Sequence, residues 1–292
     1  ANSYILLNKS ENGIPKFEDA TSDVLKEFNA LGMATSAVIT DIDNDNWLDL
    51  IVVGEWMPIR IFKNNKGKFK EVSEDMGINK DTTGWWWSIQ EGDFDNDGDI
   101  DYILGNNGLN YKYKASENET FDIFIKDFDN NKKNDIVLSY YNDGEQYPVR
   151  GRECSSQQIP AIKHVFKDYK SFSEATLIDI YSKQDLDNAV HHQVKSFASI
   201  YLENNKGQFI THKLPIQAQF SSINQILVDD YDKDGNLDAL IAGNLYVSEV
   251  ETPRNDASHG LFLKGKGDGT FAPVSVLKSG FYASGDVKDM SE

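Results

Sequence analysis

Asp93-Phe94-Asp95-Asn96-Asp97-Gly98-Asp99-Ile100-Asp101 is the stretch that decides the fold, and Tyr102-Ile103-Leu104-Gly105 follows it directly. Carboxylates at loop positions 1, 3, 5 and 9 converge on one point if the chain coils tightly, and the backbone carbonyl of Asp99 at position 7 can join them. Gly98 at position 6 permits the sharp turn. This all-oxygen set predicts a calcium site.

Three further segments repeat this spacing, and they begin at Asp41, Asp127 and Asp230. Like charges gathered within a few ångströms repel strongly unless a cation lies among them. An acidic surface turn without metal is the alternative, but four near-copies that each precede an apolar run favour about four Ca²⁺ sites. The predicted ligands, with the position-7 residues included for their carbonyls, are Asp41, Asp43, Asp45, Trp47, Asp49, Asp93, Asp95, Asp97, Asp99, Asp101, Asp127, Asp129, Asn131, Lys133, Asp135, Asp230, Asp232, Asp234, Asn236 and Asp238.

An EF-hand begins with the same spacing, but it needs a bidentate Glu at position 12 and a helix on each side. Position 12 is Val52, Leu104 or Ile241 in three of the loops. The residues after position 9 form short apolar runs that end in Gly, as in 50–54 and 239–243, and such runs predict buried strands. The sequence therefore argues against the EF-hand.

Loops of this spacing that lead into an apolar strand and a Gly resemble the FG-GAP/VCBS repeats of integrin α-subunit-type β-propellers. A second stretch, Tyr147–Gln158, is similar to bacterial VCBS proteins of the surface and secreted kind, which are grouped with ASPIC/UnbV-type chains. The first resemblance implies a propeller fold and calcium as its ion. It implies little about activity, because propellers carry many unrelated functions.

A second repeated unit is a hairpin made of a strand, an Asn/Lys/Gly turn and a strand with Phe. It occurs over 4–17, 59–69, 199–209 and 261–271. The turns supply the positive φ angles that tight hairpins need. One loop-linked strand pair followed by one hairpin makes a four-stranded sheet, which is a propeller blade. We therefore predict an all-β protein, a β-propeller of six or seven blades, as one domain over residues 1–292.

The interval between the third and fourth loops has a different pattern. Ile159, Ile162, Val165, Phe166 and Tyr169 have helical spacing. A capping box at 171–174 and a further apolar periodicity over 186–194 predict two more helices. We therefore expect a small helical insertion over about 155–195, and long insertions on repeat scaffolds often carry function.

The composition of the chain argues against some classes of binding partner. A formal net charge of −18 disfavours nucleic acid and anionic membranes, whereas an apolar content of 39% favours a folded core. The single cysteine, Cys154, excludes an intramolecular disulfide. No signal peptide or membrane-spanning run is visible, and we interpret both chain ends as internal to a longer protein. Modest-affinity calcium loops favour an extracellular, periplasmic or outer-surface location.

Two groups of residues are candidates for ligand binding. Trp86, within Trp85-Trp86-Trp87, offers a flat indole to a sugar ring, although packing between strands is the competing interpretation. Arg150, Arg152 and Glu153 form a polar run that fits an anionic group, or a network that anchors the insertion.

No nucleophile elbow, phosphate loop or zinc spacing is present, so we expect a binding module more than an enzyme. The sequence predicts a calcium-binding propeller whose ligand is a protein or a polysaccharide. The alternative is a glycan-processing enzyme, or a carbohydrate-binding domain attached to one, because exposed aromatics and carboxylates outside the loops are available.

Overall fold

The computed structural model describes residues 3–25, 28, 30–248 and 252–291. Its strands are β1 (Leu6–Asn8), β2 (Phe17–Asp19), β3 (Met33–Thr40), β4 (Asp49–Met57), β5 (Arg60–Asn65), β6 (Lys68–Glu71), β7 (Gly84–Trp85), β8 (Ser88–Gly92), β9 (Asp101–Gly105), β10 (Phe121–Lys126), β11 (Asp135–Asn142), β12 (Glu145–Pro148), β13 (Val190–Val194), β14 (Ile200–Asn205), β15 (Gln208–Lys213), β16 (Gln225–Asp229), β17 (Asp238–Ala242), β18 (Leu261–Gly265) and β19 (Phe271–Val274).

The helices are all short: α1 (Thr21–Val24), α2 (Arg152–Gln158), α3 (Ile162–Val165), α4 (Tyr169–Ser173), α5 (Leu177–Tyr181), α6 (Lys183–Asp187) and α7 (Val276–Ser279), with 3-10 turns at Lys80–Thr82 and Ile216–Gln219. Within the described residues, none of them has the length and apolar character of a membrane span.

The chain forms two compact units. Unit 1 comprises residues 1–110, 198–246 and 255–292, and unit 2 comprises residues 111–197 and 247–254. The chain leaves unit 1 after β9, builds most of unit 2 and returns at β14. The single domain expected over residues 1–292 stays a prediction.

Unit 1 contains three antiparallel sheets of the same plan. Their strand orders are β3-β4-β5-β6, β8-β9-β14-β15 and β16-β17-β18-β19, with β7 added to the free end of β4 and with β1-β2 as a separate hairpin. In each of the three, an Asp loop joins the first two strands and a hairpin supplies the last two. The predicted all-β character and four-stranded antiparallel sheets are therefore found. The four hairpins predicted from the sequence also pair in register.

The second strands of these sheets are buried on both faces, as their continuous apolar sequences predict. On β9, Tyr102 and Leu104 pack in the same core cluster as Ile51, whereas Ile103 packs in another cluster with Ile241. Successive side chains of a strand point to opposite faces, so β9 contributes to two layers of core. Unit 1 is thus a stack of sheets whose second strands are central to the packing.

The Gly that ends each apolar run has a packing reason. A Cβ on Gly54 would lie 2.2 Å from the Met33 carbonyl oxygen, and one on Gly105 would lie 2.2 Å from the Ile223 carbonyl oxygen. No side chain fits at such distances. These glycines allow neighbouring backbones to approach closely, four or five residues beyond the aspartate that ends each loop.

Unit 2 combines one sheet, of order β12-β11-β10-β13, with helices α2–α6. Its core contains Phe124, Val137, Ile159, Ile162 and Leu177. The helices occupy 152–187, inside and just before the predicted insertion. The capping box lies at Thr176 and Asp179, not at 171–174.

The helix predicted over 186–194 is wrong, because 190–194 form strand β13. Strand β13 pairs with β10 from Val190↔Ile125 to Val194↔Phe121. The backbone groups of a sheet edge need partners, and this tertiary demand outweighs the helical spacing of a few apolar side chains.

Candidate metal-binding loops

The four Asp loops share one backbone geometry. Position 4 has φ between 56° and 61°, and position 6 has φ between 68° and 94°. Left-handed backbone is favourable for Gly and tolerable for Asn. The residues at position 4 are Asn44, Asn96, Asn130 and Lys233, and those at position 6 are Asn46, Gly98, Lys132 and Gly235.

The loops also share a pattern of side-chain to backbone hydrogen bonds. The position-7 N–H donates to the side-chain oxygen of position 5 at 2.8–3.0 Å in every loop. The position-6 N–H donates to the position-1 carboxylate at 2.8–3.3 Å. These bonds are the local reason that sequences with different residues between the aspartates fold alike.

The position-9 aspartate fastens each loop to the sheet. Asp49, Asp101, Asp135 and Asp238 are 0–4% exposed. Each accepts a hydrogen bond from the position-2 N–H at 3.0–3.3 Å. Burial raises the pKa of all four carboxyls, and that of Asp101 to about 6. A cation beside these groups would oppose this effect of burial.

The third strand of each sheet in unit 1 completes the attachment. Asn64 on β5, Asn204 on β14 and Gly265 on β18 donate their backbone N–H to the position-9 aspartate at 2.7–2.9 Å. These three residues are therefore equivalent in register. Tyr201 also donates its hydroxyl to Asp101 Oδ2 at 2.7 Å.

Carboxylates converge in every loop. Ligand atoms lie within 4.8 Å of one another in four sets: Asp41, Asp43 and Asp49; Asp93, Asp95 and Asp101; Asp127, Asp129 and Asp135; and Asp230, Asp232 and Asp234. The first three sets use positions 1, 3 and 9, and the fourth uses positions 1, 3 and 5.

Other predicted ligands lie outside these sets. Asp45, Asp97 and Asn131 at position 5 accept a hydrogen bond from the position-7 N–H. Asp238 accepts hydrogen bonds from the backbone N–H groups of Tyr231 and Gly265. Trp47, Asp99, Lys133 and Asn236 at position 7 were predicted to offer carbonyls, and that role stays a prediction.

Two of the loops are contacted by a lysine from the third strand of their sheet. Lys63 Nζ forms an ion pair with Asp43 and lies 3.6 Å from Asp45 Oδ2. Lys264 Nζ forms an ion pair with Asp232 and lies 2.8 Å from Asp234 Oδ2. The carboxylates raise the pKa of both ammonium groups. A positive charge therefore sits against positions 3 and 5 of both loops.

Lys63 and Lys264 were not predicted from the sequence, although the hairpins contained the signal. Lys63 precedes Asn64, and Lys264 precedes Gly265, so both lysines stand one residue before the donor to the position-9 aspartate. An alignment of the hairpin turns would have placed them on corresponding strands beside the loops.

Loop 93–101 differs from those two. Among the described residues no ammonium or guanidinium pairs with its aspartates, and Asp93 Oδ1 is buried without a hydrogen-bond partner. Burial raises the pKa of Asp95, and the neighbouring Asp97 and Asp93 raise it further. Asp93 Oδ1 is thus a buried carboxylate oxygen without a hydrogen-bond donor, among carboxylates that no side-chain cation of the described residues neutralises. A positive charge would be favourable at this place.

The donor chemistry fits a hard divalent cation. The converging atoms are carboxylate oxygens, which Ca²⁺ prefers, and His and Cys are absent from the four sets. Lys63 and Lys264, which lie beside two of the loops, show that the carboxylates at positions 3 and 5 accept a positive charge.

Trp86 does not present a ring to a ligand. Its side chain is 2% exposed and belongs to a core cluster of unit 1, and its indole N–H donates to the Thr82 carbonyl at 3.0 Å. The competing interpretation, packing, describes this residue.

Arg152 and Glu153 are engaged within unit 2. Arg152 donates to the carbonyls of Phe166 and Lys167 and to Glu153, which also pairs with Lys163 at 2.7 Å. The hydrogen bond from Lys163 lowers the pKa of Glu153. The Arg150 carbonyl accepts a bond from Ser155 at the start of α2. These contacts join α2 to α3 and to the segment that follows α3, and both roles predicted for this polar run stay predictions.

Residues 4–104, which contain the first two loops and the first complete sheet of unit 1, match the FG-GAP-like repeat family. This part of the chain therefore resembles FG-GAP-like repeats, and the predicted resemblance is confirmed at that level. The likeness of residues 147–158 to ASPIC/UnbV-type chains stays a prediction. No curated protein matches the chain.

Proposed function

We propose that this protein is a calcium-binding scaffold of the propeller type. The observation that carries the proposal is the convergence of three carboxylates in each of four loops that share one backbone geometry. Asp41, Asp93, Asp127 and Asp230 would begin each site, and the cation would offset the repulsion among the carboxylates of one loop.

Calcium in these loops would be structural. Each loop joins two antiparallel strands, and its position-9 aspartate begins the second of them. In the three loops whose sets include position 9, a cation would therefore lock a hairpin whose second strand begins with one of its ligands. Binding to the folded state alone stabilises it by mass action.

Thermal unfolding in calcium and in a chelator tests this proposal. We expect a stabilisation of about 2.7 kcal/mol for each site when free calcium is about 100-fold above its Kd. Magnesium at the same concentration is the control, because it accommodates crowded protein carboxylates poorly and should stabilise less. Unfolding temperatures that coincide in calcium, magnesium and chelator would contradict the proposal.

The wider role that we propose is a binding module for a protein or polysaccharide outside the cytoplasm or at a cell surface. Loops of micromolar to millimolar affinity are filled where calcium is abundant, which supports that location. Binding of the calcium-loaded chain to an immobilised polysaccharide panel, without release of oligosaccharides, is the expected result for a glycan-binding module. Release of oligosaccharides would overturn the module in favour of a glycan-processing enzyme.

A further inference from the structure

The equivalent position on the third strand carries opposite charges in different sheets of unit 1. The residue before the N–H donor to the position-9 aspartate is Lys63 on β5 and Lys264 on β18, but it is Glu203 on β14. In each sheet, the hydrogen bond from the third strand to the position-9 aspartate has a similar length and fixes the register of that strand. Lys63, Lys264 and Glu203 therefore occupy equivalent positions beside equivalent loops.

The two lysines reach the carboxylates at positions 3 and 5 of their loops. Their side chains are 39% and 36% exposed, so the ammonium groups can leave for solvent. A bound divalent cation would occupy the same carboxylates and would have to displace the ammonium group first. The lysine is therefore a competitor that is tethered to the site.

Glu203 gives the middle loop the opposite environment. Its carboxylate pairs with His212 at 2.7 Å and supplies no positive charge to loop 93–101. Asp93 Oδ1 remains buried and without a partner, and Asp101 is held by Asn204 and Tyr201 from β14. The middle loop is thus attached to the sheet by β14, and no ammonium group among the described residues competes for its carboxylates.

We propose that, among the three loops of unit 1, the third-strand residue sets the calcium affinity of the loop beside it, so that loop 93–101 fills before loops 41–49 and 230–238, which fill at higher calcium, once Lys63 and Lys264 are displaced. The inference rests on the proposed calcium binding and adds the order of filling and the residues that determine it. In the metal-free protein, Lys63 and Lys264 partly neutralise the negative charge of their loops. Among the described residues, no side-chain cation does the same for loop 93–101.

Calcium titration of the full chain against a competing chelator tests the order of filling. In the wild-type chain we expect tight and weak classes of site. The double variant Lys63→Met/Lys264→Met should bind calcium at its weak sites about tenfold more tightly, because a competing unit charge has been removed from two partly exposed sites. Lys68→Met is the matched control, since Lys68 lies on the same hairpin as Lys63 and should leave the isotherm unchanged.

The converse variant places the competitor at the middle loop. Glu203→Lys should weaken the tight class by about tenfold, whereas Glu203→Gln, which removes the charge without adding an ammonium group, should leave that class tight. Unfolding in chelator gives the second readout, since Lys63→Met/Lys264→Met should be less stable than the wild type there and should gain more from calcium.

The outcomes separate the two proposals. Calcium binding with an isotherm that neither the double lysine variant nor Glu203→Lys changes would overturn the order of filling and leave the calcium function standing. A wild-type chain that binds no calcium would overturn both.

Discussion

Loop 93–101 of unit 1 and loop 127–135 of unit 2 have the same turn but different surroundings. In unit 1 the third strand reaches the loop, and Asn204 and Tyr201 donate to Asp101. In unit 2 the third strand pairs with residues 139–142, beyond the loop, and within the described part of that unit Asp135 accepts a hydrogen bond from the Phe128 N–H alone. The conformation of the turn is therefore set by neighbouring residues, whereas the attachment of the loop to its sheet depends on residues that are distant in the sequence.

The largest expected difference concerns the position-9 carboxylate. Asp101→Ala leaves the Asn204 N–H, the Tyr201 hydroxyl and the Phe94 N–H without an acceptor and should cost about 3 kcal/mol. Asp135→Ala removes the acceptor of one N–H and should cost about 1 kcal/mol. Urea unfolding in chelator measures both values free of metal. Equal losses would show that the third strand contributes nothing to loop attachment.

A second prediction concerns the link between loops within unit 1. Asn204 is 1% exposed, donates to the Ile42 carbonyl at 3.0 Å and accepts from the Gly207 N–H. Asn64, the equivalent residue, is half-buried, and its two bonds of the same types are exposed to solvent. Asn204→Ala should therefore cost about 2 kcal/mol and Asn64→Ala less than about 1 kcal/mol in urea unfolding, because buried donors and acceptors lose most when unpaired.

The smallest expected difference lies at position 4. Asn96 donates to Asn236 Oδ1 at 3.0 Å and so joins two loops of unit 1. Asn96→Gly keeps the positive φ but removes this exposed hydrogen bond, and it should cost about 0.5 kcal/mol more than Asn130→Gly in unit 2, where φ is 59°. A differential unfolding experiment on the two variants gives the value. A larger loss for Asn130→Gly would contradict the assigned link.

The comparison also shows what the sequence could predict. The Asp loops, the apolar strands after them and the hairpins are set by residues within about ten positions of one another, and these were predicted. The pairing of β9 with β14 joins residues 102–104 to 200–202. No local periodicity encodes a pairing over that distance. The strand at 190–194 was missed for the same reason, because it pairs with the distant residues 121–125. The roles of Lys63, Lys264 and Glu203 depend on the same long-range register.

The number of calcium ions that the chain binds tests the central claim most directly. Equilibrium dialysis against calcium, followed by elemental analysis, should give about four ions per chain at saturation, and Asp93→Asn/Asp95→Asn should reduce the number by one. A chain that retains no calcium at millimolar concentration would contradict the assignment of the Asp loops as metal sites.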